Sequence, residues 1–93
     1  MLINLLRLLP PEMAHELTIK LIKSNFIAGI KRNQEYTTLK QNILGIDFKN
    51  PLGLAAGFDK NAEVIIPMIR YGFGFVEVGT ITPRPQKGNQ KPR

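Results

Sequence analysis

The sequence predicts an α/β chain, and three observations lead there. Two short apolar runs, "LGLAA" at 52–56 and "FVEVG" at 75–79, have the length and composition of buried strands. Between them Glu63, Val64, Ile65, Ile66, Met68 and Ile69 make a helical run that stops at the glycines of "YGFG". Ahead of both, residues 2–26 carry apolar side chains at helical spacing. Strand, helix, strand in about thirty residues is a βαβ unit with parallel strands. Parallel strands need helices on their faces and neighbours at their edges, so the expectation is the opening of a larger α/β fold.

The first segment, "LINLLRLL" at 2–9, is apolar except for Asn4 and Arg7. As a helix it reaches about 12 Å at ~1.5 Å per residue, against the ~30 Å of a hydrocarbon core. It has neither a basic leader nor a small-residue cleavage site, so it is not expected to act as a signal peptide. Pro10-Pro11 then resets the chain into a second helix, with Glu12 and Glu16 on the favourable side of the helix dipole. Met13, Leu17 and Leu21 recur at four-residue steps, and Ile19, Ile22 and Phe26 widen the apolar face. Lys20 and Lys23 flank that face, and an end is expected near Gly29. Two readings of this helical pair, residues 1–30, stay open. It packs on the rest of the chain, as most amphipathic helices do, or it lies in a membrane interface with its lysines towards the headgroups. His15 reads as a helix-surface or packing residue.

A polar connection follows at 31–42. Residues 43–48 and 52–56, with the turn signal Asn50-Pro51 between them, read as a short β-hairpin leading into the first strand of the βαβ unit. Asn61 is placed to cap the following helix. Pro67 is awkward on that start, because beyond the first turn it removes a backbone hydrogen bond and kinks the helix. Residues 43–93 thus hold the hairpin and the βαβ unit.

The 93 residues carry 13 Lys and Arg against 7 Asp and Glu, a net charge of +6. An anionic partner fits that balance: nucleic acid, phospholipid headgroups or a phosphorylated cofactor. The basic residues are scattered, with Lys31-Arg32 the longest adjacent pairing. The tail that carries Arg84, Lys87, Lys91 and Arg93 lacks interleaved aromatics, so nucleic acid is not expected as a partner. Its charge serves as readily to keep an open segment solvated. Cysteine is absent, which excludes a disulfide framework and a cysteine zinc site, and no metal is expected.

"AAGFDKN" at 55–61 clears away side chains and then places a charged amine. In a βαβ unit, ligands gather at the carboxyl ends of the strands. Lys60 follows the first strand and Thr80 the second, so both belong to one rim. Small residues there let a flat or phosphorylated ligand approach the backbone, and Lys60 offers three donors and a positive charge to a carboxylate. Ordinary turns and a solvated surface lysine are the alternative on these residues alone.

"NPLGLAAGFDKNAE" at 50–63, followed by "GFGFVEVGTITPRPQKGNQKPR" at 72–93, closely resembles the opening of dihydroorotate dehydrogenases, flavin enzymes of pyrimidine synthesis. A looser likeness continues upstream through "PPEMAHEL" at 10–17. The helical pair and "TPRPQKGNQKPR" point to the membrane-associated, quinone-reducing class 2 of that family. The resemblance implies a TIM (β/α)8 barrel, of which this chain would carry the start, incomplete, behind a two-helix extension and a short hairpin. It implies FMN as cofactor, with the binding run on Ala56, Gly57, Phe58, Asp59 and Lys60 and a contribution from Thr80. Lys60 also matches a lysine that touches the substrate, dihydroorotate. The helical pair would form a hydrophobic quinone tunnel, which makes Leu2, Leu5, Leu6, Leu9, Met13, His15, Leu17 and Leu21 candidate tunnel or membrane-facing residues.

The implied reaction oxidises dihydroorotate to orotate, with hydride passing to the flavin and electrons onward to a quinone. The implied location is a membrane surface, peripherally on the cytoplasmic face of the cell membrane. The family's base in this class is a serine that would follow Arg93, so no catalytic residue is expected within the chain. A complete TIM barrel takes about 250 residues, and the 93 residues by themselves are expected to be inactive. The reading from another class is a non-catalytic remnant, or a small basic membrane-surface protein that keeps only the helical pair.

Overall fold

The computed structural model describes residues 1–24 and 36–93. The first apolar run forms a short helix, α1 (Leu2–Leu6). After Pro10 comes α2 (Pro11–Lys23), with proline in its first turn, Glu12 beside it and Lys20 and Lys23 in its last turn. Charge and helix dipole therefore agree at both ends. The expected continuation through Phe26 to an end near Gly29, the Lys31-Arg32 pair and the connection as far as residue 35 lie outside the described residues. No helix among the described residues is long and apolar enough to cross a membrane.

A single 3-10 turn, Thr37–Leu39, leads into a hairpin of β1 (Gln41–Ile43) and β2 (Ile46–Phe48). The strands pair antiparallel, with Gln41 opposite Phe48, Asn42 opposite Asp47 and Ile43 opposite Ile46. The hairpin begins two residues ahead of the expected 43 and turns at Leu44-Gly45, not at Asn50-Pro51. Leu44 and Gly45 both have positive φ, 52° and 79°, the two-residue arrangement whose twist matches that of the flanking strands. Asn42 Nδ2 donates to Asp47 Oδ1 at 2.7 Å and fixes the register. Asn50 is a tie and not a hairpin turn. Its Oδ1 accepts from the Leu52 N–H at 2.9 Å and its Nδ2 donates to the Gly72 carbonyl at 2.8 Å.

The expected βαβ unit is present. β3 (Gly53–Leu54) and β4 (Phe75–Val76) pair in parallel, Gly53 with Phe75 and Leu54 with Val76, and α3 (Ile65–Tyr71) connects them. Gly53 is bare because the Phe75 ring lies over it, where a Cβ would collide with the ring. Phe75 in turn meets Phe48 edge-on at 5.6 Å, which joins the hairpin to the parallel pair. α3 starts at Ile65 with Val64 as its cap residue, so the expected cap at Asn61 is corrected. The later start also removes the difficulty at Pro67. It falls at the third helical position, in the first turn, where its missing N–H has no helical partner to lose. Gly72, at φ 116°, ends the helix in the left-handed region.

Ile19 and Ile22 of α2 and Val64 and Met68 beside and within α3 are buried together, with Leu54, Phe58, Tyr71, Phe73 and Val76 packed against them. Burying each such aliphatic side chain contributes about 1.5–3 kcal/mol. α2 thus packs on the βαβ unit through one stripe. Its other stripe, Met13 and Leu17, stays exposed, as do Leu2, Ile3, Leu5 and Leu8 around α1. The strands among the described residues form two separate two-stranded sheets, so no barrel is closed.

Candidate functional site

Because β3 and β4 are parallel, both deliver the chain to the same edge, β3 into Ala55-Ala56-Gly57 and β4 into Val78-Gly79-Thr80. Two backbone bonds hold these exits together: the Gly57 N–H donates to the Gly79 carbonyl at 3.1 Å, and the Gly79 N–H to the Asp59 carbonyl at 3.4 Å. Gly57 has φ 106°, and a Cβ added there would meet nothing within 4 Å. Its amide is committed to Gly79, so this position offers a ligand bare Cα surface and open space, not a free donor.

The structure brings Lys60 and Thr80 together. Both line one cleft of about 410 Å³, along with Ala62, Val78, Ile81 and Thr82. Ala62, at φ 57°, makes the left-handed turn between Lys60 and α3. Lys60 and Gly57 border a second cleft of about 550 Å³, whose far wall is Glu12 and His15 of α2 and the 86–89 loop. Ala56, Gly57, Lys60 and Thr80 are all exposed at this edge.

Phe58 and Asp59 have internal work. The Phe58 ring packs against the core, and its carbonyl accepts a hydrogen bond from His15 Nε2 at 2.7 Å. Asp59 is 2% exposed, and its carboxylate accepts from two backbone N–H groups, Glu63 at 2.8 Å on Oδ1 and Val64 at 2.9 Å on Oδ2. The carboxylate thereby holds the 59–64 turn that aims Lys60 at the edge. This role was missed in the sequence, although an aspartate a few residues ahead of a helix is a known signal for capping.

Of the candidate tunnel residues, Leu2, Leu5, Met13 and Leu17 are exposed, Leu6, Leu9 and Leu21 are half-buried, and His15 is turned to Phe58. Glu12, a helix-dipole residue by its sequence position, is also the anchor of the basic tail. Arg93 donates to Glu12 Oε1 from Nε at 3.1 Å and Nη2 at 2.9 Å, and Lys91 Nζ stands 3.6 Å from Oε2. The Arg93 hydrogen bond, helped by the charges of Arg93 and Lys91 and opposed by partial desolvation, holds the Glu12 carboxyl below its ordinary value. Two of the four tail charges are therefore paired and do more than solvate an open segment.

The fold and the edge define an α/β protein with an open cleft, lined by Lys60 and Thr80, where its parallel strands end. The family model described as Dihydroorotate dehydrogenase matches residues 38–93, and the chain belongs to that family. Relatives named "Dihydroorotate dehydrogenase (quinone)" include one from Xanthobacter autotrophicus, 49% identical over 89 residues that make up 96% of this chain and 25% of the relative. Another, from Sinorhizobium fredii, is 55% identical over 86 residues, 92% of this chain and 24% of the relative. The chain thus spans about a quarter of the length of these curated relatives. The crystal structure of the Eimeria tenella enzyme in complex with ferulenol is similar over 89% of this chain and 22% of that one, with a TM-score of 0.82 and 49% identity. Its ligand-free form gives 0.80 over 89% of this chain and 23% of that one, again at 49% identity.

Proposed function

We propose that these residues form the cofactor-facing opening of an FMN-dependent dihydroorotate dehydrogenase that uses a quinone as acceptor in pyrimidine synthesis. One observation carries this reading: Lys60 and Thr80 share a cleft at the carboxyl edge of the parallel pair, beside the bare surface of Ala56 and Gly57. In a TIM barrel that edge is the catalytic face, and β3, α3 and β4 are read as the first steps of such a barrel.

FMN fits the residues present, because a flat ring needs the open, side-chain-free surface that Gly57 offers and Ala56 extends. The bound flavin supplies the two-electron redox chemistry of the reaction, dihydroorotate to orotate. Lys60 brings an ammonium with three donors, which neutralises the substrate carboxylate and stabilises negative charge developing beside it. The Thr80 hydroxyl adds one donor and one acceptor. Asp59 and His15 hold the loop so that Lys60 stays aimed. Proton abstraction belongs to a base outside these residues. On this reading the 93 residues alone do not turn over, since the two short parallel strands among the described residues close no barrel.

The exposed leucines of α1 and the Met13-Leu17 stripe of α2 support the quinone-tunnel reading, with Lys20 and Lys23 suited to phospholipid headgroups. On this reading the protein rests peripherally on the cytoplasmic face of the cell membrane.

Lys60→Ala, in the enzyme that contains this segment, tests the proposal. Anaerobic reduction of the bound flavin by dihydroorotate should slow by about 10²–10³-fold, the scale for removing one positioned donor. Near-normal reduction would sink it.

A further inference from the structure

We infer that Glu12 is a positioning residue: it latches the 87–93 segment onto the first turn of α2 and so sets the opening of the cleft where α2 meets Gly57 and Lys60. The contact joins residues 81 apart in the chain. Arg93 is engaged through all three of its nitrogens. Nε and Nη2 donate to Glu12 Oε1, while Nη1 donates to the Lys87 carbonyl at 3.2 Å and the Asn89 carbonyl at 2.6 Å. The 87–89 turn is therefore wrapped around the guanidinium, and the guanidinium is held by α2. Gly88, at φ 79°, permits the wrapping, since the turn takes it into the left-handed region that L side chains rarely adopt.

The pieces of the latch are unequal. The side chains of Glu12 and Arg93 are 28% and 36% exposed, whereas that of Lys91 is 73% exposed. Exposed pairs contribute little, so the Arg93 contact carries the latch. One turn further along α2, His15 grips the Phe58 carbonyl, and Ile19 and Ile22 then enter the core. A single helical stripe thus ties the tail, the lysine loop and the core to one rigid element. The cleft of about 550 Å³ lies inside that frame, with Gly57 and Lys60 on one wall and the 86–89 loop on another.

The functional consequence rests on the proposed reading. α2 carries candidate quinone residues, and Gly57 and Lys60 are the candidate flavin residues. A latch between them governs how an acceptor reaches the flavin, not how dihydroorotate reduces it. Glu12→Gln keeps the size of the side chain and removes its charge, and Arg93→Gln removes the other half.

The test uses the enzyme that contains this segment, with both single variants and the double. Either single variant should raise KM for a short-chain quinone by about tenfold, and the double should be no worse than the more affected single. Anaerobic flavin reduction by dihydroorotate should stay within about twofold of the parent. Backbone amides of 87–93 should exchange hydrogen faster in all three variants. Additive effects in the double, an unchanged quinone KM, or unchanged exchange at 87–93 would each overturn the inference. A protein that binds no flavin would defeat the functional reading instead, and the exchange comparison would still decide the latch.

Discussion

His15 on α2 holds the loop that presents Lys60: its Nε2 lies 2.7 Å from the Phe58 carbonyl, and the two rings meet edge-on at 5.5 Å and 88°. A carbonyl oxygen only accepts, so Nε2 is the protonated nitrogen and Phe58 selects the tautomer. The bond and the ring contact together contribute about 2 kcal/mol, from roughly 1 for a hydrogen bond and 0.5–1.5 for an edge-on pair. His15→Ala should lose about that much, read as a lower denaturant midpoint with an unchanged slope. A loss below about 0.5 kcal/mol would mean that Ile19 and Ile22 dock α2 without help from the histidine.

Asp59→Asn separates size from hydrogen bonding. The native carboxylate presents two acceptors to two backbone N–H groups in a site 2% exposed. An amide has one oxygen, so its NH2 group would face either the Glu63 or the Val64 N–H, donor against donor. That leaves one buried donor unpaired and costs about 1–3 kcal/mol. Thermal melting of the parent and variant checks it, and an unchanged melting temperature would show that the turn does not depend on the carboxylate.

The βαβ unit and its rim were legible because they rest on local patterns: two apolar strand runs, a helical run between them and a glycine stop at Gly72. The placement of Lys60 and Thr80 followed from topology, since parallel strands end at one edge. The hairpin turn was misplaced because Asn50-Pro51 is a strong turn signal, while Leu44 at positive φ is one the sequence hides. Asn50 is instead a tertiary tie to Gly72, 22 residues away. The α3 start was misplaced for a related reason. Asp59 holds the turn from five residues ahead of Val64, so Asn61 looked like the cap. His15 to Phe58 and Glu12 to Arg93 join residues 43 and 81 apart, and no periodicity reports contacts at such separations.

Two glycines should respond differently to alanine. A Cβ at Gly74 would collide with the backbone carbonyl of Asn50, an atom that cannot swing away. Gly74→Ala should therefore cost about 3 kcal/mol, the upper end of what overpacking costs, and should part the β3 entry from β4. A Cβ at Gly57 meets no atom within 4 Å, but φ is 106°. Its cost is backbone strain alone, about 1–3 kcal/mol, and on the proposed reading it also intrudes on the flavin surface. Melting curves and flavin content separate the two. Gly74→Ala should lower stability more, and Gly57→Ala should lower flavin content more. The reverse ordering would contradict the packing described for β3 and β4.

The pH dependence of the Glu12 latch has a definite sign. Arg93 donates to the ionised carboxylate and lowers its pKa in the folded protein below the ordinary 4.5. A carboxyl lowered in this way contributes stability above its unfolded value and loses it as pH falls through the folded value. The latch is therefore complete at neutral pH and opens only in acid, below 4.5. Comparing the urea midpoints of the parent and Glu12→Gln at a series of pH values isolates this one group. The difference should be constant from about pH 7 to pH 5.5 and vanish below the folded pKa, where both side chains are neutral. Added salt should shrink the neutral-pH difference, because the pair is partly exposed and screened over about 10 Å at 0.1 M. A difference that persists in acid would assign the contact to the size of the Glu12 side chain and not to its charge.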